Sequence, residues 1–261
     1  MTWWEGVVLG MVQGLTEFLP VSSSGHLVVA GRALGVPRQG VVVEVALHVA
    51  TLAAVLLVYR ARIWELFRGL TTSDGGARRY VALLVIATIP AGLAGVLLGD
   101  WFEQAFSSLA VVGVDFIVTG TILWSTRRPA ARAAESEPSW GGAGAIGFAQ
   151  AIAILPGISR SGSTVAAALW VGVRPIQAAE FSFLMSIPVI AGAAVFELPK
   201  LGAGTPGVGV GPLAVSVVAA LLAGIAAIKL LVRLLERGAF HRFAPYCWVV
   251  GAATLVWALR G

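Results

Sequence analysis

Leu19-Pro20-Val21-Ser22-Ser23-Ser24-Gly25 cuts the apolar run from about 5 to 35 into two halves. Leu155-Pro156-Gly157-Ile158-Ser159-Arg160-Ser161-Gly162 does the same to the run from about 142 to 173. Each half gives roughly 20 Å of helix at 1.5 Å per residue. That is too short to cross about 30 Å of hydrocarbon. The proline removes a backbone donor and drives the residue before it out of the helical region. The serines that follow suit the N-cap of a new helix. Each stretch therefore reads as helix, break, helix: a re-entrant hairpin that enters the membrane and leaves on the same side. Non-helical backbone at that depth survives only under cover of protein or a watery cavity.

The remainder of the chain fits a membrane setting. Its 261 residues are 58% hydrophobic and 12% charged, against about 25% charged in soluble domains. Six further apolar runs, at about 41–59, 80–99, 107–126, 176–198, 212–234 and 243–260, are long enough to span. The two halves also resemble each other. Gln13 precedes Leu19-Pro20 as Gln150 precedes Leu155-Pro156; Ser24-Gly25 aligns with Ser161-Gly162, and Glu44 with Glu180 at nearly the same offset. Three spans follow each hairpin, an odd number, so the second copy enters upside down. The expected fold is all-α integral membrane: six transmembrane helices plus two re-entrant helical hairpins in an inverted-topology repeat. One membrane domain covers 1–261. The first repeat is 1–126, with its hairpin at about 5–35. A linker loop covers 127–141, and the second repeat is 142–261, with its hairpin at about 142–173.

The net charge of +5 does not indicate nucleic acid, because the basic residues sit in short loops and form no stripe. They sort by side instead. Arg60, Arg62, Arg68, Arg78, Arg79, Arg127, Arg128, Arg132, Arg174, Lys229, Arg233, Arg237 and Arg242 fall on one side, and Arg32, Arg38, Lys200 and Arg260 on the other. The positive-inside rule places the larger set in the cytoplasm and both termini outside. Hairpin one then opens outward and hairpin two inward, with their tips converging; Arg160 belongs to neither side because it sits at a tip. The N-terminus lacks a basic segment, so a cleaved signal peptide is not expected. Cys247 is the single cysteine, which excludes a disulfide within the chain. The Gly207-Val208-Gly209-Val210-Gly211 run lies in a Gly/Pro loop over 202–212 and lacks the strand and helix of a nucleotide fingerprint. Gly6, Gly10 and Gly14, four apart on the first half-helix, are placed to let another helix approach closely.

The chemistry concentrates in the breaks. Gln13 and Glu17 share a helix face, as do Ser23 and His26 at the start of the next half-helix. Ionisable groups at membrane depth cost about 3 kcal/mol each and need partners. In hairpin two, Arg160 is flanked by Ser159, Ser161, Ser163 and Thr164. A planar guanidinium, hydroxyls and the free N–H groups of a helix N-terminus together make an anion site that matches phosphate. The bland readings are that Glu17 braces the hairpin, or that Arg160 and Glu17 form a structural ion pair across the repeat. Glu44 and Glu180 fit bracing as well as a direct role, and Asp115, inside a span, has no assigned role.

The segment Glu17-Phe18-Leu19-Pro20-Val21-Ser22-Ser23-Ser24-Gly25-His26, taken with Pro156-Gly157-Ile158-Ser159-Arg160-Ser161-Gly162-Ser163-Thr164, resembles the undecaprenyl-diphosphate phosphatases linked to bacitracin resistance. The resemblance covers essentially the whole chain. It implies hydrolysis of undecaprenyl diphosphate to undecaprenyl phosphate and inorganic phosphate, which recycles the carrier lipid of cell-wall polysaccharide synthesis. It also implies a site facing the outer leaflet of the inner (plasma) membrane and dependence on a divalent cation, Mg or Ca, with Glu17 as a metal ligand. Gln13, where the family also takes Glu, removes one carboxylate from such a metal site. The acid-phosphatase-like lipid phosphatases share Ser-Gly-His and Ser-Arg fragments, but they require a histidine where this chain has Ala166.

The expected catalytic set is Ser23, His26, Glu17 and Arg160. Gln13, Ser22, Ser24, Ser159, Ser161, Ser163 and Thr164 are expected to bind substrate. Ser23 attacks phosphorus with His26 as general base and Glu17 orienting His26, or His26 is itself the nucleophile. The expected partners are a polyprenyl diphosphate lipid and the bilayer, with no nucleic acid and with a homodimer allowed. The competing class is a transporter or flippase of a phosphate-bearing lipid or other anion, because inverted repeats with broken helices also build transporters.

Overall fold

The structure, a computed structural model, describes residues 1–33, 41–72, 74–197 and 209–260. Arg38, Lys200, the end of the first expected hairpin beyond residue 33 and most of the Gly/Pro loop over 202–212 lie outside the described residues.

The first hairpin is α1 (Trp3–Phe18) followed by α2 (Ser23–Ala33). Then come α3 (Val41–Val58), α4 (Arg60–Thr71), α5 (Gly75–Leu97), α6 (Gly99–Ser107), α7 (Leu109–Ser125) and the short α8 (Arg127–Arg132). The second hairpin is α9 (Trp140–Ile152) with α10 (Arg160–Trp170). The chain ends with α11 (Pro175–Glu197), α12 (Val210–Glu236), a 3-10 turn at Phe240–Phe243 and α13 (Ala244–Arg260). Among the described residues, five helices are long and apolar enough to cross a membrane, or six if α3 and α4, bent by 73° from each other, are counted as one span. The four hairpin arms have 16, 11, 13 and 11 residues, so each reaches only about 16–24 Å.

Two elements depart from the expected loops. Residues 60–71, read as cytoplasmic loop, form α4. Ile63, Leu66, Phe67 and Leu70 recur at three- and four-residue spacing between Arg60, Arg62 and Arg68, the pattern of a helix lying in the interfacial plane. The linker over 127–141 carries α8, and its Glu135 bridges Val173 at the foot of the second hairpin.

The packing repeats itself with the halves exchanged. α1 lies along α12 as α9 lies along α5; α3 meets α12 as α11 meets α5; α7 and α13 pack on each other, as do α3 and α11. That is the pattern of a two-fold axis in the membrane plane relating an inverted pair. Small residues permit the closest approaches. A Cβ on Gly6 would come within 2.5 Å of Pro212 O, and those on Gly10 and Gly14 would strike Ser216 O and Ala220 O, all on α12. On the related seam, a Cβ on Gly147 of α9 would come within 2.6 Å of Ala87 O on α5. Pro156, Gly157, Ile158 and Ser159 are all buried, so the broken backbone of hairpin two is covered by protein, as membrane depth requires.

Candidate active site

The tip of hairpin one is shaped by its proline. Leu19, ahead of Pro20, leaves the helix in an extended conformation with ψ 145°. Ser22 then adopts φ +67°, in the left-handed region, which costs a non-glycine residue of order 1–3 kcal/mol and persists only where its surroundings over-determine it. They do so here. Ser22 Oγ accepts from Gly25 N–H at 3.3 Å and from Gly157 N–H at 3.2 Å, and the Ser22 carbonyl accepts from His26 N–H at 3.2 Å. Gly157 belongs to the other hairpin, so Ser22 Oγ joins the two tips directly. Gly25 has no room for a side chain, because a Cβ would lie 2.9 Å from Gly157 Cα.

Hairpin two is held from behind by α7. Thr119 Oγ1 donates to Gly157 O at 2.9 Å and accepts from Ser159 N–H at 3.0 Å. Ser159 caps α10, accepting from Gly162 N–H at 3.0 Å. Arg160, the first residue of α10, thereby projects toward the end of α1.

Glu17 is the centre of the arrangement. Its Oε2 accepts from Gln13 Nε2 at 3.0 Å and from Ser23 Oγ at 2.8 Å. Its Oε1 pairs with Arg160 Nη2. The Glu17 and Arg160 side chains are only 7% and 15% exposed, so this is a buried ion pair joining the two halves of the repeat. Arg160 Nη1 is buried and has no hydrogen-bond partner. A cavity of about 40 Å³ opens here, lined by Thr16, Glu17, Ser22, Ser23, Ser24, Ala153, Ile158, Ser159 and Arg160. Its volume is close to one water's share of the liquid, about 30 Å³.

The structure thus brings Glu17, Ser22, Ser23, Ser24, Ser159 and Arg160 to one cavity, with Gln13 behind Glu17. Other expected site residues lie elsewhere. His26 bonds neither Ser23 nor Glu17. Its Nδ1 is 2.7 Å from the Ser22 carbonyl oxygen and its Nε2 is 2.7 Å from Tyr246 Oη. Ser161 donates to Leu19 O at 3.3 Å, and Thr164 Oγ1 bonds Arg160 O at 2.8 Å and Ser182 Oγ at 2.6 Å. Ser163 Oγ is buried without a partner. None of these three lines the cavity. Glu180 does not brace a hairpin: it accepts from Arg62 Nε at 3.0 Å and from Tyr80 Oη at 3.3 Å, joining α11 to α4 and α5.

Residues 6–253 match the family described as bacitracin resistance protein BacA. The chain belongs to the BacA family. Among its relatives is an undecaprenyl-diphosphatase of Desulforapulum autotrophicum, 39% identical over 98% of both chains. Another, from Alcanivorax borkumensis, is 40% identical over 98% of this chain and 99% of its own. A third, from Acaryochloris marina, is 39% identical over the full length of both. In this BacA-family chain, sequence reasoning missed Thr119, Tyr246 and Thr16. Thr119 did carry a signal, as a hydroxyl inside an apolar span. Tyr246 carried none, because it meets His26 across 220 residues of chain.

Proposed function

We propose that this multi-pass membrane protein hydrolyses undecaprenyl diphosphate to undecaprenyl phosphate and inorganic phosphate. It thereby recycles the lipid carrier for cell-wall polysaccharide synthesis and confers bacitracin resistance. The observation that carries the reading is the buried junction of Ser23, Glu17 and Arg160 at two facing helix N-termini. Arg160 holds the phosphoryl oxygens with the Nη1 donors that no protein group uses. The N-termini of α2 and α10 at the cavity supply further N–H donors and a favourable field. Ser23 Oγ attacks the terminal phosphorus, its proton passes to Glu17 Oε2 at 2.8 Å, and the bond from that phosphorus to the bridging oxygen breaks. Undecaprenyl phosphate leaves, and water then hydrolyses the phosphoserine. Glu17 rather than His26 takes the serine proton in this scheme, because Glu17 is the acceptor that Ser23 faces. The cavity is small for a phosphoryl group, so substrate parts Arg160 from Glu17 on entry and frees the carboxylate to act as base.

The described residues hold no group of three or more His, Cys, Asp and Glu side chains suited to a metal. Glu17 is the single carboxylate lining the cavity. With that donor set, Glu17 would be the one protein ligand of a Mg or Ca ion, as suits hard cations bound mainly through substrate phosphates. Such an ion would supply charge neutralisation for the leaving phosphate. Substrate-free protein is therefore expected to retain no stoichiometric metal by elemental analysis, while chelation abolishes turnover and added Mg or Ca restores it.

The larger basic set supports a topology with α4, α8 and the 3-10 turn on the cytoplasmic side of the inner membrane. The site is then reached through hairpin one from the outer leaflet, with the polyprenyl chain lying between helices. The deciding experiment supplies purified protein in detergent with a prenyl diphosphate and Mg. Phosphate release without any membrane gradient supports hydrolysis. No release would leave the transporter reading in its place.

A further inference from the structure

His26 is held at both ring nitrogens, and on the neutral ring the pattern of these bonds fixes the tautomer. The Ser22 carbonyl can only accept, so the Nδ1 that lies 2.7 Å from it carries the hydrogen. On the neutral ring Nε2 is then an acceptor, and the Tyr246 hydroxyl 2.7 Å away donates to it. The Tyr246 and His26 rings are nearly parallel, 5° apart with centroids at 5.8 Å, and Phe116 packs edge-on at 5.1 Å and 84°. These contacts tie hairpin one to α13 on one side and to α7 on the other. The residue that receives the Nδ1–H bond is Ser22, the left-handed residue at the tip. Ser23, whose hydroxyl faces Glu17, is its immediate neighbour. A bond chain therefore runs from Tyr246 Oη through the imidazole to the Ser22 carbonyl, and through one peptide to Ser23.

We infer that Tyr246 is a positioning residue of the phosphatase: its hydroxyl locks His26 as the Nδ1–H tautomer, and His26 in turn holds the strained Ser22 carbonyl so that Ser23 points at Glu17. This rests on the phosphatase reading above. His26 then acts on the backbone of the tip rather than on the serine proton. A solvated neutral histidine side chain favours hydrogen on Nε2, the wrong nitrogen for Ser22, so a donor fixed opposite Nε2 is what this geometry requires. Without the Tyr246 hydroxyl, Nε2 loses its acceptor bond, Ser22 loses a secure restraint, and Ser23 spends less time in line with Glu17. A reactive group displaced by a fraction of an ångström slows chemistry more than it weakens binding.

The test is Tyr246→Phe, which keeps the ring and removes one oxygen. The wild type is assayed alongside for phosphate release from a prenyl diphosphate; a wild type that releases none refutes the phosphatase reading itself, whatever Tyr246 does. With an active wild type, Y246F is expected to lose about 5- to 10-fold in kcat, the scale of one net hydrogen bond, with KM within about 2-fold. In ¹⁵N-histidine-labelled protein the His26 nitrogens are expected to leave the Nδ1–H pattern, while those of His48 and His241 stay in place. In a His26→Ala background, adding Y246F is expected to change kcat by less than about 2-fold. Wild-type kcat in Y246F, unchanged His26 nitrogen shifts, or a full additive loss in the double variant would each overturn the inference.

Discussion

At position 17 one carboxylate serves three partners: Gln13, Ser23 and Arg160. Removing any partner of a buried charge leaves the others unsatisfied, at about 3–5 kcal/mol for the ion pair. Ser23→Ala and Arg160→Ala are each expected to cut phosphate release at least ~100-fold. Arg160→Lys keeps the charge but not the fork, and is expected to recover only a minor part of that activity in the same assay. The pairing of Gln13 with Glu17 was legible from spacing alone, and the ion pair of Arg160 with Glu17 was among the readings the sequence allowed. The expected pairing of Ser23 with His26 is not made, although the two stand three apart. Helical side chains lean toward the N-terminus and cover the preceding turn, so the His26 ring lies over Ser22, and Ser23, at the first position of α2, turns back to α1. Sequence spacing names neighbours on a face, but not which way the first residue of a helix points.

Between elements, two devices hold the hairpins. The first is the glycine seam of α1 against α12, anticipated from the four-residue spacing. Gly10→Leu drives a side chain into the Ser216 backbone and is expected to lower the melting temperature in detergent by several degrees, in line with overpacking costs of about 1–3 kcal/mol. Gly92→Ala, where nothing lies within 4 Å, serves as the control and is expected to leave it unchanged or raised. The second device is Thr119, which satisfies a carbonyl and an N–H of hairpin two at once. Thr119→Val keeps the shape and strands both groups, at about 1–3 kcal/mol each. Lower thermal stability together with weaker phosphate release is the expected result, read by melting and by turnover. The breaks themselves were legible because Pro20 and Pro156 act on their own neighbours. The staple was not, because it depends on which span passes behind the tip. The interfacial α4 was missed for a simpler reason: its three arginines dominate a hydropathy reading, and only the face they leave free is apolar.

Across the whole molecule, the basic residues and the inverted repeat together predict orientation. With Cys247, which is buried, replaced by Ala, single cysteines at Gly76 and Gly141 are expected to react only from the cytoplasmic side. Cysteines at Gln104 and Ser107 are expected to react only from outside. Labelling of Gly76→Cys from outside would reverse the topology and with it the leaflet from which substrate enters. The sequence by itself determined the membrane class, the six spans, the two hairpins and their inverted relation. Each of these follows from local signals: the length of an apolar run, a proline, and the parity of a span count. Only the tertiary structure decided that Ser23 faces Glu17, that the Glu17–Arg160 pair closes the junction of the halves, and that Thr119 and Tyr246 hold the tips from α7 and α13. Ser23 meets Glu17 across the break between two helices, and the other contacts join residues 38 to 220 positions apart, so no periodicity of a single helix records them.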